Sequence, residues 1–411
     1  MHICLVSREH PEMSGGGGIG TYTDNLAQGL AHLGHAVTVI AHGETGVPDT
    51  PKPGEVCLAG VSGPEVWKLP FGNRLFGRLL RAAPFSVGAA RVFRWRHALK
   101  PFDVVEVPEY QGWGAGVVAV APCPKLVRLH THTALLQRLN GHGETPDTRA
   151  CHALEALTLA RGDRVLANSN ALAQSALSDF STVLSPQRVG VLPLGIDTHR
   201  FSKRVSRRIR KRYGIPSSAP LLLFVGRLER RKGVETLLEA FISLARDEPE
   251  AVLMWVGFST ETGHEGSPML TQLRERARQA GIASQMVFAG SVPYSELPDY
   301  YGESDVFVAP SSFEPFGMVY LEAMASGCAV VACAAGGALE IIRDGSTGHL
   351  VPPHSPESLA LAIRRLLNCP FHRQQLATQA RKEVQARFSL SVLGEKTVQS
   401  YRDLLARKGV A

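Results

Sequence analysis

No stretch of the chain stays apolar for the ~18 or more residues that a membrane-spanning helix requires. The first apolar run, Ile3 to Val6, is short and has no basic leader before it, so it reads as a buried strand and not as a signal peptide. Together these absences predict a protein that is neither embedded in a bilayer nor exported. Cysteine is scarce: seven are scattered over 411 residues, with no C-x-x-C pair of the zinc or redox kind. That usage predicts a reducing, cytoplasmic setting, with Cys328 and Cys333 as small core residues. An Asp-x-Asp pattern for a divalent cation is also missing, which predicts no metal requirement.

Acid is absent between Lys68 and Lys100, where Lys68, Arg74, Arg78, Arg81, Arg91, Arg94, Arg96 and Lys100 stand. Seven more basic residues crowd Lys203 to Arg212. The formal net charge is only +7, so the basic character is local and belongs to particular surfaces. In Asn73 to Ala82 the arginines recur at helical spacing beside Leu75, Phe76, Leu79 and Leu80. The segment 68–100 is therefore expected to meet an anionic partner, a membrane surface or a charged acceptor, or else to pack as an ordinary surface helix. It has no nucleic-acid reading motif.

What is present suits a globular enzyme: 44% hydrophobic and 20% charged residues, and length enough for two domains. Short apolar runs alternate with helical patterns, as in parallel βαβ units. Strands are expected near Ile3 to Ser7, Ala36 to Ala41, Asp103 to Val107, Lys125 to His130, Arg164 to Ala167 and Val189 to Leu192. After the turn Pro193-Leu194-Gly195-Ile196-Asp197 the rhythm restarts with five more, beginning at Leu221, Ala251, Met286, Val306 and Ala329. The expectation is an α/β chain of two Rossmann-like, doubly wound domains, 1–200 and 201–387, facing across a cleft. Ligands of such sheets lie at the carboxyl ends of the strands, so the loops after strands matter most.

Gly15 to Gly18 follow the first strand and open the first helix, where free N–H groups and the helix dipole favour an anion. No Lys-Ser/Thr follows to make this an NTPase phosphate loop. After Leu221 to Val225 comes Gly226-Arg227-Leu228-Glu229-Arg230-Arg231-Lys232-Gly233. Arg227 and Lys232 beside a glycine turn suit a leaving diphosphate, although a solvated basic loop reads the same way. The densest signal is Ser311 to Gly327: Glu314 lies in a loop before Pro315, and Glu322 lies in a helix that starts near Gly317 and stops at Gly327. That helix N-terminus can hold phosphate or hydroxyls, and each carboxylate can accept from sugar or ribose hydroxyls. The same two carboxylates could act as the acid and base of a glycoside hydrolase, which would leave Arg227 and Lys232 without a task. His130 ends a strand at the carboxyl edge of the first sheet, with His132 two residues on and no third metal ligand nearby.

Taken together, the glycine loop, Gly226-Arg227 with Lys232-Gly233, Glu314 to Glu322, and Gly336-Gly337 with Glu340 resemble the retaining glycosyltransferases of family 4, of GT-B fold, over nearly the whole chain. The resemblance implies that Phe388 to Leu405 is a terminal helix returning to the first domain, which 388–411 then completes. It implies a nucleoside-diphosphate sugar as donor. Arg227, Lys232, Val319 and the N–H groups of Gly17 or Gly18 would meet the diphosphate, and Glu322 the ribose. Glu314 with the Phe316-Gly317-Met318 backbone, and His130, would meet the transferred sugar, while Ser291 and Val292 after Gly290 would meet the base. His130, Arg227, Lys232 and Glu314 are then the catalytic set. The junction departs from the family in having Leu194 where many relatives have asparagine, and Val61 to Tyr110 matches no pattern that would name the acceptor. A nucleotide-sugar 2-epimerase or a phosphorylase of the same architecture, and a non-catalytic two-domain sugar-binding protein, are the rival readings.

Overall fold

A computed structural model describes residues 1–14, 17–44, 50–62, 76–202, 206–262 and 267–409. Gly15, Gly16, Lys68 to Leu75, Lys203 and Arg204 lie outside the described residues. The chain divides into two compact units, Met1–Gly195 with Leu390–Ala411, and Ile196–Ser389.

Each unit is built on a parallel sheet. The first has strands β1 (His2–Val6), β2 (Ala36–His42), β3 (Val56–Val61), β4 (Val104–Pro108), β5 (Lys125–Leu129), β6 (Arg164–Ala167) and β7 (Val189–Val191), in the order β3-β2-β1-β4-β5-β6-β7. The second has β8 (Leu221–Val225), β9 (Val252–Val256), β10 (Met286–Gly290), β11 (Val306–Ala309), β12 (Ala329–Cys333) and β13 (His349–Val351), in the order β10-β9-β8-β11-β12-β13. Strand order reverses between β1 and β4 and between β8 and β11. At such a switch point the flanking crossovers leave in opposite directions and open a crevice at the carboxyl ends. Central strands such as β1, β4, β8 and β12 are buried along their whole length, which is why they read as unbroken apolar runs without alternation.

The core of the first unit contains one charged knot. Glu106 on β4 accepts from Arg128 Nε at 3.1 Å, from the Tyr22 hydroxyl at 2.5 Å and from the Tyr401 hydroxyl at 2.7 Å. Arg128 also donates to the Leu192 carbonyl at 3.1 Å. A buried carboxylate is tolerated because it is saturated in this way. Through Tyr401 the knot ties the last helix, Leu390–Arg407, to the sheet. That helix packs on Gly18–His32 where Gly29 meets Leu390 and Gly394; a Cβ on Gly29 would stand 2.8 Å from the Leu390 carbonyl oxygen.

Both basic clusters prove to be partly structural. Arg208, Arg210 and Arg212 pair with Asp299, Asp305 and Glu296 of the second unit. In the first unit the helix Leu79–Leu99 starts where the Asp147 carboxylate accepts from the Arg78 and Leu79 amides at 3.1 and 2.9 Å. Its Phe85 and Phe93 are buried against Trp113 and Phe102. Arg81, Arg91, Arg94, Trp95 and Lys100 stay exposed.

Candidate functional site

At the β8/β11 switch point two loops are stitched together. The loop after β8 passes Gly226 and Arg227, makes a short turn at Arg230–Lys232, and enters the helix Val234–Leu244 through Gly233. Gly233 has φ +67°, and a Cβ there would lie 2.0 Å from the Pro310 carbonyl oxygen after β11. Only glycine allows that approach. The two loops share backbone hydrogen bonds: Ser312 N–H donates to the Arg231 carbonyl at 2.9 Å.

The side chains of these loops form a compact charged cluster. Lys232 donates to the Glu314 carboxylate, each side chain being 12% exposed. Arg231, buried, lies 3.8 Å from the same Glu314 oxygen, donates to the Phe313 carbonyl at 2.9 Å, and donates to Glu229 at 2.6 Å. Arg227 reaches Glu229 at 3.2 Å and is 39% exposed. Burial, with Arg231 adding to it, lowers the Lys232 ammonium despite Glu314. Burial acts to raise the Glu314 carboxyl, but Lys232 and Arg231 outweigh it and hold the group below the usual carboxylate range. This is an anion held by two cations, with a third at the more exposed side.

The Glu314 to Phe316 loop is clamped by Gly336-Gly337. Gly337 N–H donates to the Glu314 carbonyl at 2.7 Å, and a Cβ on Gly336, at φ +57°, would stand 2.4 Å from that oxygen. Gly317, at φ +108°, turns the chain into the helix Met318–Ala325, so Met318 and Val319 supply its first N–H groups. Glu322 sits deeper, 4% exposed, accepting from the Tyr301 hydroxyl at 2.8 Å and the Tyr294 hydroxyl at 3.3 Å. Burial raises its carboxyl to about 7, with the two tyrosine bonds opposing. Ser291, exposed, and Val292, half-buried, follow β10, an outer strand of the same parallel sheet.

In the first unit, His130 follows β5 and is 8% exposed. Its backbone N–H donates to both Glu109 oxygens, at 2.8 and 2.9 Å, and its ring meets Tyr22 edge-on at 5.3 Å. Burial and the neighbouring Arg128 push its imidazole down to about 3, so it is uncharged at neutral pH. Glu109 is pushed up to about 8 by burial and by Glu155, against the His130 amide. His132 points elsewhere: its Nε2–H donates to Asp179 at 2.5 Å. Gly17 is the extended residue before the helix Gly18–His32, and Glu9 packs on it, so that a Cβ on Gly17 would meet the Glu9 carboxylate at 2.1 Å.

Of the residues singled out from sequence, the structure brings Lys232 and Glu314 into contact, with the Phe316-Gly317-Met318 segment at their side. Arg227 makes its ion pair with Glu229, the carboxylate that Arg231 also holds. Glu229, Arg231, Tyr294, Tyr301 and Glu109 were not anticipated. Arg231 alone had a local signal, as the middle of Arg230-Arg231-Lys232.

The sequence matches the family model described as Glycosyl transferases group 1 over residues 205–383, and that described as Glycosyltransferase Family 4 over residues 16–200. A D-inositol 3-phosphate glycosyltransferase of Geodermatophilus obscurus is 32% identical, over 95% of this chain and 85% of that one. Among solved structures, sucrose-phosphate synthase of Thermosynechococcus elongatus superposes with a TM-score of 0.76 at 25% identity, covering 99% of each chain. Anabaena Alr3699/HepE, solved in complex with UDP-glucose, superposes with a TM-score of 0.72 at 19% identity, over 98% of this chain and all of that one.

Proposed function

The chain belongs to the group 1 glycosyl transferases, sugar-transferring enzymes of GT-B fold, and from that premise we propose that it moves a sugar from a nucleoside-diphosphate sugar to an acceptor hydroxyl with retention and without a metal. The observation that carries this reading is the cluster of Lys232, Arg231 and Arg227 around two carboxylates, Glu314 and Glu229, at the β8/β11 switch point. Cations preorganised in a partly dry site stabilise a charge that grows during reaction. A departing diphosphate is such a charge. On binding, it would take over from Glu314 as the partner of Lys232, and Glu314 would turn to the hydroxyls of the transferred sugar.

The remaining roles follow the same reading. The Phe316-Gly317-Met318 backbone takes the transferred sugar; the Val319 N–H, at the start of its helix, takes phosphate oxygens; Glu322 takes the ribose hydroxyls; Ser291 and Val292 take the base through backbone. Gly17 and Gly18 offer amides to the diphosphate. His130 contributes an uncharged imidazole to the sugar. In the reaction the bond from the anomeric carbon to the diphosphate breaks, leaving an oxocarbenium-like sugar and the diphosphate with the electron pair. The acceptor oxygen then bonds to the same face, and its proton passes to a donor phosphate oxygen. A structure solved with UDP-glucose shares this fold, which agrees with a nucleotide-sugar donor. A hydrolase reading leaves Lys232 and Arg231 with no role.

The test is transfer in EDTA, with the anomeric configuration of product read by proton NMR. An α-configured donor should give an α-linked product with EDTA present. A β-linked product would refute retention, and activity abolished by EDTA and restored by a divalent ion would refute metal independence.

A further inference from the structure

Glu322 is gripped by two tyrosines that reach it from different elements of the second unit. Tyr301, on the helix Leu297–Glu303, donates its hydroxyl to Oε2 at 2.8 Å; Tyr294, in the short turn Tyr294–Glu296 after β10, donates to Oε1 at 3.3 Å. Each carboxylate oxygen thus has one phenol. Phe201, fully buried, meets both rings edge-on, at 5.5 Å from Tyr294 and 6.0 Å from Tyr301, and Phe307 meets Tyr301 in the same way at 5.4 Å. The Arg200 guanidinium lies over the Tyr294 ring, 5.3 Å from its centre. Arg200 and Phe201 are held in their turn by Asp197, whose carboxylate accepts the Arg200 amide at 3.0 Å and whose carbonyl accepts the Phe201 amide at 3.2 Å.

An ionised carboxylate offers about four lone-pair directions, two on each oxygen. With one on each oxygen taken by a tyrosine, one on each remains, which is what a vicinal diol needs. We propose that Tyr301 and Tyr294 are positioning residues that fix the Glu322 carboxylate for two-point capture of the ribose 2′- and 3′-hydroxyls, and that they thereby make the site select ribonucleotide over deoxyribonucleotide. The inference rests on the reading of Glu322 as the ribose group. A carboxylate held at both oxygens cannot swing to satisfy itself when a hydroxyl is missing, so the analogue leaves a buried charge short of a partner. Burial and the neighbouring Glu322 push the Tyr301 phenol well above its usual range, so it remains a donor. Both tyrosine bonds work against burial at Glu322 and favour its ionised form. Tyr294 stands in the same segment after β10 as Ser291 and Val292, so one stretch of chain serves both base and ribose.

The experiment is calorimetric titration with ADP, GDP and UDP, each against its 2′-deoxy form, at a pH above the Glu322 carboxyl at about 7. Wild type should bind its preferred ribonucleotide at least about tenfold more tightly than the deoxy form. Tyr301→Phe should lose most of that ratio by weakening the ribonucleotide alone, with affinity for the deoxy form within about twofold of wild type. Tyr294→Phe, which removes the longer bond, should lose a smaller part of it. A general loosening of the fold weakens both forms alike, so equal weakening of the two in Tyr301→Phe, or the wild-type ratio kept in both variants, overturns the proposal. Should Tyr301→Phe not fold, the ratio in Tyr294→Phe decides. A wild-type ratio near one removes Glu322 from the ribose and the proposal with it. Lys232→Ala keeps that outcome separate from the diphosphate assignment, since it should weaken ribo and deoxy forms by the same factor.

Discussion

At the scale of single residues, the account divides labour between Lys232, Arg227 and the two carboxylates. Lys232→Ala should lower turnover by about 10² or more, and so should the more exposed Arg227→Ala, since each removes a charge aimed at the leaving group. Because Lys232→Ala also leaves the buried Glu314 with Arg231, 3.8 Å away, as its ion-pair partner and the Ser311 hydroxyl at 3.5 Å, melting must be followed alongside; Arg227→Ala should melt like wild type. Turnover unchanged in both variants would remove the diphosphate assignment. Glu322 makes a pH-dependent prediction. Unfolded, its carboxyl ionises near 4.5; folded, it keeps its proton up to about 7. Across that window the unfolded chain binds fewer protons, so this group's contribution is complete below about pH 4.5 and is lost as pH rises through about 7. Glu322→Gln should therefore show a shallower loss of stability between about pH 5 and 7 than wild type. Donor binding, if the carboxylate holds the ribose, should tighten through about pH 7 in wild type only. Parallel profiles for the two proteins would show that the Glu322 carboxyl is not raised.

At the scale of elements, the helix Leu79–Leu99 has spent its apolar side on its own unit. Phe85 and Phe93, the aromatic residues that could have served a lipid contact, are both buried. Outward stand Arg81, Arg91, Arg94 and Lys100 with the scattered apolar residues Val87, Trp95 and Leu99. Any membrane contact is then chiefly electrostatic, on the order of 1 kcal/mol for each basic residue near anionic lipid. Co-sedimentation with phosphatidylserine vesicles should fall with salt and be lost when Arg81, Arg91 and Arg94 are all changed to Glu. Absence of sedimentation at low salt would make this an ordinary surface helix. The same scale shows what sequence can carry. Fully buried strands such as Leu221–Val225 and Val306–Ala309 announce themselves as apolar runs, whereas three-residue β13 is too short to hold a pattern and went unforeseen, as did β3, whose burial only alternates. Tyr294 and Tyr301 reach Glu322 across 28 and 21 positions, and Glu109 reaches His130 across 21; nothing local in the sequence announces such partners.

At the scale of the molecule, the sequence made two doubly wound sheets legible because parallel βαβ units repeat one rhythm, and it made the loops of the proposed donor site stand out because glycine, Arg227, Lys232, Glu314 and Glu322 fall at fixed distances from strands. It did not reveal that the cations are already neutralised from within, Lys232 by Glu314 and Arg227 with Arg231 by Glu229. That pairing is the central physical claim: the site holds an internal carboxylate where the proposed donor diphosphate would bind. Thermal melting in EDTA across nucleoside diphosphates and their sugars tests it most directly, with wild type and Lys232→Ala compared. The account predicts that at least one nucleoside diphosphate raises the melting temperature of wild type, and that Lys232→Ala, still folded, loses most of that shift. A shift of equal size in the variant, or none in wild type with any nucleotide of the panel, would contradict it.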